Sequence, residues 1–324
     1  MFIASGADGY SLAYSSDGIN WTGLVTDAFE HLVCAACNGT MWVAGVYDDT
    51  PGPTSNTMAY SYNGLDWIGL GRAIFDDYCD VIAWNGSMWL ATGGLSPKIS
   101  HSSDGINWSE PVDFVFDYGC TGFAWNGSVW VATGNNDSTY YSIAYSANGI
   151  DWTLIEDDTI FWDGAWDVVW TGTRFVAGGG RGFEYNTLAY SADGVAWTGL
   201  GAEVMNDTVR GFAWNGSMLV VVGNDFRGLV EDPNTVAYSS DGINWTGLGE
   251  VLSNDWHAVA WGAGVFVALG SENVDGTPNT LMYSENGIDW VGLGNTMFPF
   301  GGNVAWGVLD EPEAHVYTYR VTME

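Results

Sequence analysis

Residues 14–21 read YSSDGINW. The same eight-residue phrase returns as YSYNGLDW (60–67), HSSDGINW (101–108), YSANGIDW (145–152), YSADGVAW (190–197), YSSDGINW (238–245) and YSENGIDW (283–290). Its tryptophans, Trp21, Trp67, Trp108, Trp152, Trp197, Trp245 and Trp290, stand 46, 41, 44, 45, 48 and 45 residues apart. So regular a recurrence marks a repeat architecture, and a period of this length suits a unit of four strands.

Two further elements recur between these phrases. One is AACNG (35–39), AWNG (83–86 and 124–127), VWTG (169–172), AWNG (213–216), AWGAG (260–264) and AWG (305–307). The other is FIASG (2–6), WVAGV (42–46), WLATG (89–93), WVATG (130–134), FVAGG (175–179), LVVVG (219–223) and FVALG (266–270). Each unit thus holds short apolar runs bounded by Gly, Asn, Asp or Ser, which read as strands rather than helices. The Asn-Gly and Asp-Gly pairs supply the left-handed positions of tight hairpin turns.

A lone four-stranded meander cannot bury both faces, whereas units stacked around an axis can. The sequence therefore predicts an all-β, seven-bladed β-propeller of four-stranded antiparallel blades. An open solenoid is the structural alternative and would need capping repeats. The chain starts inside a unit and reaches a seventh first-strand element, GNVAWGV (302–308), so both ends are expected to close the last blade. Residues 1–313 read as one propeller. Residues 314–324 read as an extra strand or tail that joins the clasp, covers an edge or meets a partner.

The recurring phrase resembles the Asp-box, or bacterial neuraminidase repeat, Ser-x-Asp-x-Gly-x-x-Trp. It is one residue shorter here, as in Ser15, Asp17, Gly18 and Trp21. Three copies carry Asn in place of Asp, at Asn63, Asn148 and Asn286. The resemblance implies a hairpin turn between the third and fourth strands of a blade, away from any catalytic centre. The seven phrase tryptophans are then structural. The tryptophans of the AWNG series, Trp125 among them, read as inter-blade packing. Sialidases of that family use three arginines around a carboxylate. The six arginines here, Arg72, Arg174, Arg181, Arg210, Arg227 and Arg320, do not follow that pattern.

With 39 acidic residues against 7 Lys and Arg, the net charge is −32. Such a chain has no electrostatic means of wrapping a phosphate backbone, which excludes nucleic acid as a partner. An anionic membrane surface is equally unsuited. No apolar run is long enough to span a bilayer, and no leader is visible at the N-terminus. Cys34, Cys37, Cys79 and Cys120 all precede residue 121, and buried free thiols are expected. Cys79 and Cys120 occupy equivalent positions, each six residues before the Asn of WNG, from which an approach between neighbouring blades is open to them.

Function is sought where the repeat breaks. In a propeller the first-to-second and third-to-fourth turns share one face, and here they are uniform. The other face carries the second-to-third loops and the blade connections, which differ in length and chemistry. These segments mix acids with aromatics, a composition suited to carbohydrate or protein recognition. The candidate ligand-binding residues are Asp76, Asp77, Tyr78, Asp117, Tyr118, Trp162, Asp163, Trp166, Tyr185 and Trp256. No cofactor is required, although paired acids such as Asp76/Asp77 and Asp157/Asp158 admit Ca²⁺ or a glycosidase acid pair. The expected function is that of a non-enzymatic virion structural or host-attachment propeller, whose partners are glycans or other virion or surface proteins. A glycoside hydrolase or lyase with a central carboxylate pocket is the alternative, as is a secreted or cell-surface carbohydrate-binding protein.

Overall fold

A computed structural model describes residues 1–309 apart from 8–11, 49–51, 53, 95, 137–138, 181–184, 225–233, 252–255 and 271–278. The chain forms seven four-stranded antiparallel sheets, each a blade. The first strands of blades 1 to 7 are His31–Cys37, Cys79–Trp84, Gly119–Trp125, Ala165–Trp170, Thr208–Trp214, Trp256–Gly262 and Phe300–Trp306. Each lies against the first strands of both neighbouring blades, including the seventh against the first, so the ring is closed.

Blade 7 is made from both ends of the chain. Its order is Phe300–Trp306, Phe2–Ala7, Leu12–Ser15 and Thr22–Leu24. Phe2 pairs with Trp306 and Ala4 with Val304. The backbone groups of Met1 and Gly307 bond to each other, Gly307 N donating to Met1 O at 3.0 Å. The clasp expected from the sequence is therefore present. The tail, residues 314–324, lies outside the described residues.

Burial follows radial position. Second strands such as Trp42–Tyr47 and Trp89–Gly93 are almost wholly buried, because blades pack on both of their faces. That explains their unbroken apolar sequence. Fourth strands such as Ile68–Gly69 and Val291–Gly292 are two residues long and largely exposed. Outer edges this short offer little template for unwanted strand pairing.

The recurring turn is built from its own side chains. Ser15 Oγ accepts from Gly18 N at 2.9 Å. Asp17 Oδ1 accepts from Ile19 N at 2.9 Å and Asn20 N at 2.7 Å. The Asn20 side-chain amide, which donates to Asp17 Oδ2, and then these two backbone N–H groups hold the Asp17 carboxyl well below its ordinary range. Trp21 Nε1 closes the turn on Gly18 O at 3.0 Å. Gly18 has φ +76°, and a Cβ there would lie 2.7 Å from Val265 Cγ2 in blade 6. The turn therefore seats its blade against the preceding one as well as joining two strands.

The AWNG tryptophans pack between blades as expected, Trp84 with Met41 and Val43 of blade 1 and Trp125 with Leu90 and Ile99 of blade 2, and each also leans on a ring of its own blade: Trp84 on Trp89 at 5.0 Å, Trp125 on Trp130 at 5.2 Å, Trp306 on Phe2 at 4.6 Å. They are opposite partners in the ladder, which brings the rings together. Trp306 also reaches Gly262 of blade 6, where a Cβ would not fit. Among the cysteines, Cys34 and Cys79 meet between blades 1 and 2. Cys34 Sγ lies 3.8 Å from Cys79 O, and all four thiols are free. Burial, then the contact with Cys34, raises the Cys79 thiol well above its ordinary value.

Candidate functional site

Each first strand carries one irregularity at the same place. In blade 2, Cys79 pairs with Gly93 and Val81 with Thr92, which leaves Asp80 unopposed. The same shift leaves out Val33, Thr121, Trp166, Arg210 and His257 in blades 1, 3, 4, 5 and 6. In blade 7, Gly302 and Asn303 stand opposite Ser5 alone. A β-bulge takes a residue out of the ladder and re-aims its side chain. In blades 2 to 7 this repeated backbone device brings unlike side chains, from Asp80 to Asn303, to one axial cavity.

Asp80, Thr121, Trp166, Asp167, Arg210 and His257 line an axial cavity of about 280 Å³, above apolar residues including Ile82, Phe123 and Val259. The Arg210 guanidinium lies 4.6 Å over the Trp166 ring, a cation–π contact. The two acids differ. Asp167 Oδ1 accepts from Val168 N at 2.8 Å, and Oδ2 from Phe212 N of the next blade at 2.9 Å. Protein surrounds it closely, yet it keeps some surface toward the cavity. Burial raises its carboxyl to about 7 against the pull of those two N–H groups. Asp80 is also raised to about 7, by burial and then by the charge of Asp77.

A second constellation lies on the variable face, between blades 3 and 4. Trp162 is sandwiched between Tyr140 and Tyr185, with centroids 4.8 Å apart on each side and planes within 10° and 16°. Tyr140 holds φ +59°, which is unusual for a bulky residue; its N–H donates to Asn136 O at 2.9 Å. Backbone strain of this kind persists where surrounding contacts over-determine it. The stack borders a cavity of about 510 Å³ lined by Asp158, Thr159, Trp162, Tyr185, Asn186 and Glu203, among others. Asn186 pins its wall. Its Nδ2 donates to Thr159 O and Ile160 O at 3.0 Å, and its Oδ1 accepts from Gly201 N at 2.8 Å. Asn56 and Asn234 make the same bonds in blades 1 and 5. In all three, the Asn precedes a Thr at the start of the third strand, a signal readable in the sequence.

The ten candidate residues do not form one site. Trp162 and Tyr185 meet in the stack, and Asp163 follows Trp162, half-buried. Asp76, Asp77 and Tyr78 stand together in the connection to blade 2, where Arg72 donates to the Asp76 carbonyl and lies 3.9 Å from Asp77. Burial, then Asp80 and Asp77, raises the Tyr78 hydroxyl. Asp117 and Tyr118 are exposed on the connection to blade 3, where Asp117 N donates to Asn136 Oδ1 and Tyr118 N to Asn135 O. Trp166 belongs to the axial cavity and not to the outer face. Trp256 is 0% exposed: it opens a first strand and fills the core among Val222, Val236 and Phe266, so it offers no ligand surface.

Asp80, Asp167, His257 and Tyr140 were not legible as site residues. The signal for the ring is positional: each bulge residue stands four before Cys37 or the AWNG-type tryptophan. Arg210 joins the ring, while Arg181 and Arg227 lie outside the described residues. Among the described residues, no group of three or more His, Cys, Asp or Glu is placed to hold a metal ion. Among the described residues, no helix is long and apolar enough to cross a membrane.

No protein-family model matches the chain, and no curated protein matches it. Solved structures do resemble it. The computationally designed Ika8 protein is similar with a TM-score of 0.52 at 12% identity, over 84% of this chain and 79% of that one. The GH74 enzyme of Niastella koreensis gives a TM-score of 0.38 at 13% identity, over 90% of this chain and 56% of that one. This chain therefore spans little more than half of that enzyme's chain. At these identities the likeness to solved structures concerns the fold.

Proposed function

We propose that this propeller is a non-enzymatic recognition module that binds a neutral glycan on its variable face. The observation that carries this reading is the Tyr140–Trp162–Tyr185 stack beside the Asp158 and Glu203 carboxylates. An aromatic wall takes the apolar face of a sugar ring, and exposed carboxylates accept from its hydroxyls. Each stacked pair contributes roughly 0.5–1.5 kcal/mol beyond area burial, so the platform is rigid before ligand arrives. A net charge of −32 disfavours acidic sugars and leaves neutral ones.

Hydrolysis is the weaker reading for the axial acids. Both Asp167 oxygens already accept backbone N–H groups, which suits a structural acceptor better than a proton shuttle. The turn phrase is similar to the Asp-box, and compact chains of such repeats resemble propellers of virions and bacterial surfaces. On that resemblance, the reading puts the module on a virion or another outer surface, where it attaches to host glycans.

A glycan array probed with the labelled protein tests this reading. Binding to neutral glycans is expected, weakened at least about tenfold in Trp162→Ala and in Tyr185→Ala, with the propeller still folded by circular dichroism. Equal binding by both variants, or no binding to any neutral glycan, overturns the site.

A further inference from the structure

We infer that the axial cavity is a second binding site, which takes a small organic ammonium ion through hydrogen bonds to Asp80. The site is separate from the face pocket and does not depend on the glycan reading. The two acids of the cavity differ in their partners. Asp167 has each oxygen bonded to a backbone N–H. Asp80 sits on the bulge of blade 2 and lines the cavity, and no described group donates a hydrogen bond to it. A half-buried carboxylate without a donor is costly, and proteins keep such groups where a ligand supplies the donor.

The surroundings narrow the chemistry. Nearby Asp77 adds negative charge, so the ligand is a cation rather than an anion. A divalent metal lacks a ligand set, since no cluster of three His, Cys, Asp or Glu surrounds the position. An ammonium group needs only hydrogen-bond acceptors and charge. Arg210 covers one face of Trp166 and sets a like charge beside it, which disfavours recognition of a quaternary ammonium by that ring. Below Asp80 the wall turns apolar at Ile82, Phe123 and Val259, which suits a short carbon chain. A cavity of about 280 Å³ exceeds what a few waters occupy, at ~30 Å³ each.

The groups facing Asp80 come from several blades. Asp77, Tyr78 and Cys79 adjoin it in sequence, and Cys120 faces it from blade 3. Asp167, Arg210 and His257 share the cavity, with His257 exposed at the mouth. Because Asp80 takes a proton near neutrality, ammonium affinity should rise from about pH 5.5 to about pH 8.

The test is calorimetric titration of the full chain with n-butylammonium chloride at physiological ionic strength, with tetramethylammonium as the cation that has no N–H. Saturable one-to-one binding is expected at about pH 8, at least about tenfold weaker in Asp80→Asn. Tetramethylammonium should not compete. The rise with pH should persist in His257→Gln and disappear in Asp80→Asn. Trp162→Ala should bind butylammonium like the parent chain. Equal affinity in Asp80→Asn, equal binding of tetramethylammonium, or only the non-saturable heat of counter-ion exchange overturns the proposal. If Asp80→Asn does not fold, equal affinity of the parent chain at both pH values overturns it instead.

Discussion

In the turn after the third strand of blade 1, Asn63 Nδ2 donates to Asp66 Oδ2 at 2.7 Å. In blade 7 the same contact runs the other way along the chain: Asn20 Nδ2 donates to Asp17 Oδ2 at 2.7 Å. The sequence reflects this as an exchange between N-G-x-D and D-G-x-N, with Ala196 in blade 4 the exception. Either residue at the first position gives the turn an Oδ1 acceptor, and the partner supplies the complementary group. Asn63→Asp alone should therefore set two carboxylates against each other and destabilise by up to about 1 kcal/mol, as befits an exposed pair. The double change Asn63→Asp/Asp66→Asn should recover most of that loss. A double-mutant cycle in urea measures the coupling, and purely additive effects would contradict the exchange.

Asp80 should lower the stability of the fold in a pH-dependent way. Its folded carboxyl, raised to about 7, holds a proton that the unfolded chain releases near the ordinary value of about 4. The favourable proton binding is fully present below about pH 4 and is lost as pH rises to about 7. Asp80→Asn should thus raise stability by roughly 1–4 kcal/mol at pH 8 and leave it nearly unchanged at pH 4. Denaturant midpoints at the two pH values decide this. A stabilising variant that weakens a ligand is the usual mark of a functional group held at a cost.

Two glycines separate conformation from packing. Gly105 and Gly86 both have positive φ, +75° and +99°. A Cβ at Gly105 would lie 2.8 Å from Val43 Cγ2 and 3.1 Å from Trp89 Nε1, whereas at Gly86 nothing lies within 4 Å. Gly86→Ala should cost only the left-handed backbone term, about 1–2 kcal/mol. Gly105→Ala should cost roughly 2–5 kcal/mol, because overpacking between blades adds to it. Similar losses in the two variants would remove the seating role of the turn.

The two neighbouring tryptophans of blade 3, Trp125 and Trp130, should differ as well. Trp130 is 1% exposed, whereas Trp125 is half-buried at the end of its strand. Trp130→Ala should cost about 3–5 kcal/mol, and Trp125→Ala clearly less than that. Calorimetric unfolding of both variants tests the order.

The seven blades, their strands and the closing clasp were legible in the chain because they rest on local chemistry. Asn-Gly and Asp-Gly turns, apolar runs and the Ser–Asp–Trp phrase act within about ten residues, and repetition makes them visible. The variable face was legible only as a composition. Trp162 and Tyr185 stand 23 positions apart and meet through loop geometry that no short motif encodes. Trp256 was misplaced because an aromatic after an acidic stretch reads as exposed, while its position at the head of a first strand buries it between blades.

The axial ring belongs wholly to the tertiary structure. Asp80, Thr121, Trp166, Arg210 and His257 lie 41 to 47 positions apart and differ in every chemical property. Nothing in their local sequence marks them as neighbours. Closure of the ring brings their strands side by side, and the repeated bulge turns them toward one axis. Local turn chemistry thus determined the blade, while the arrangement of carboxylates, guanidinium and rings around the cavity was decided only when seven blades met.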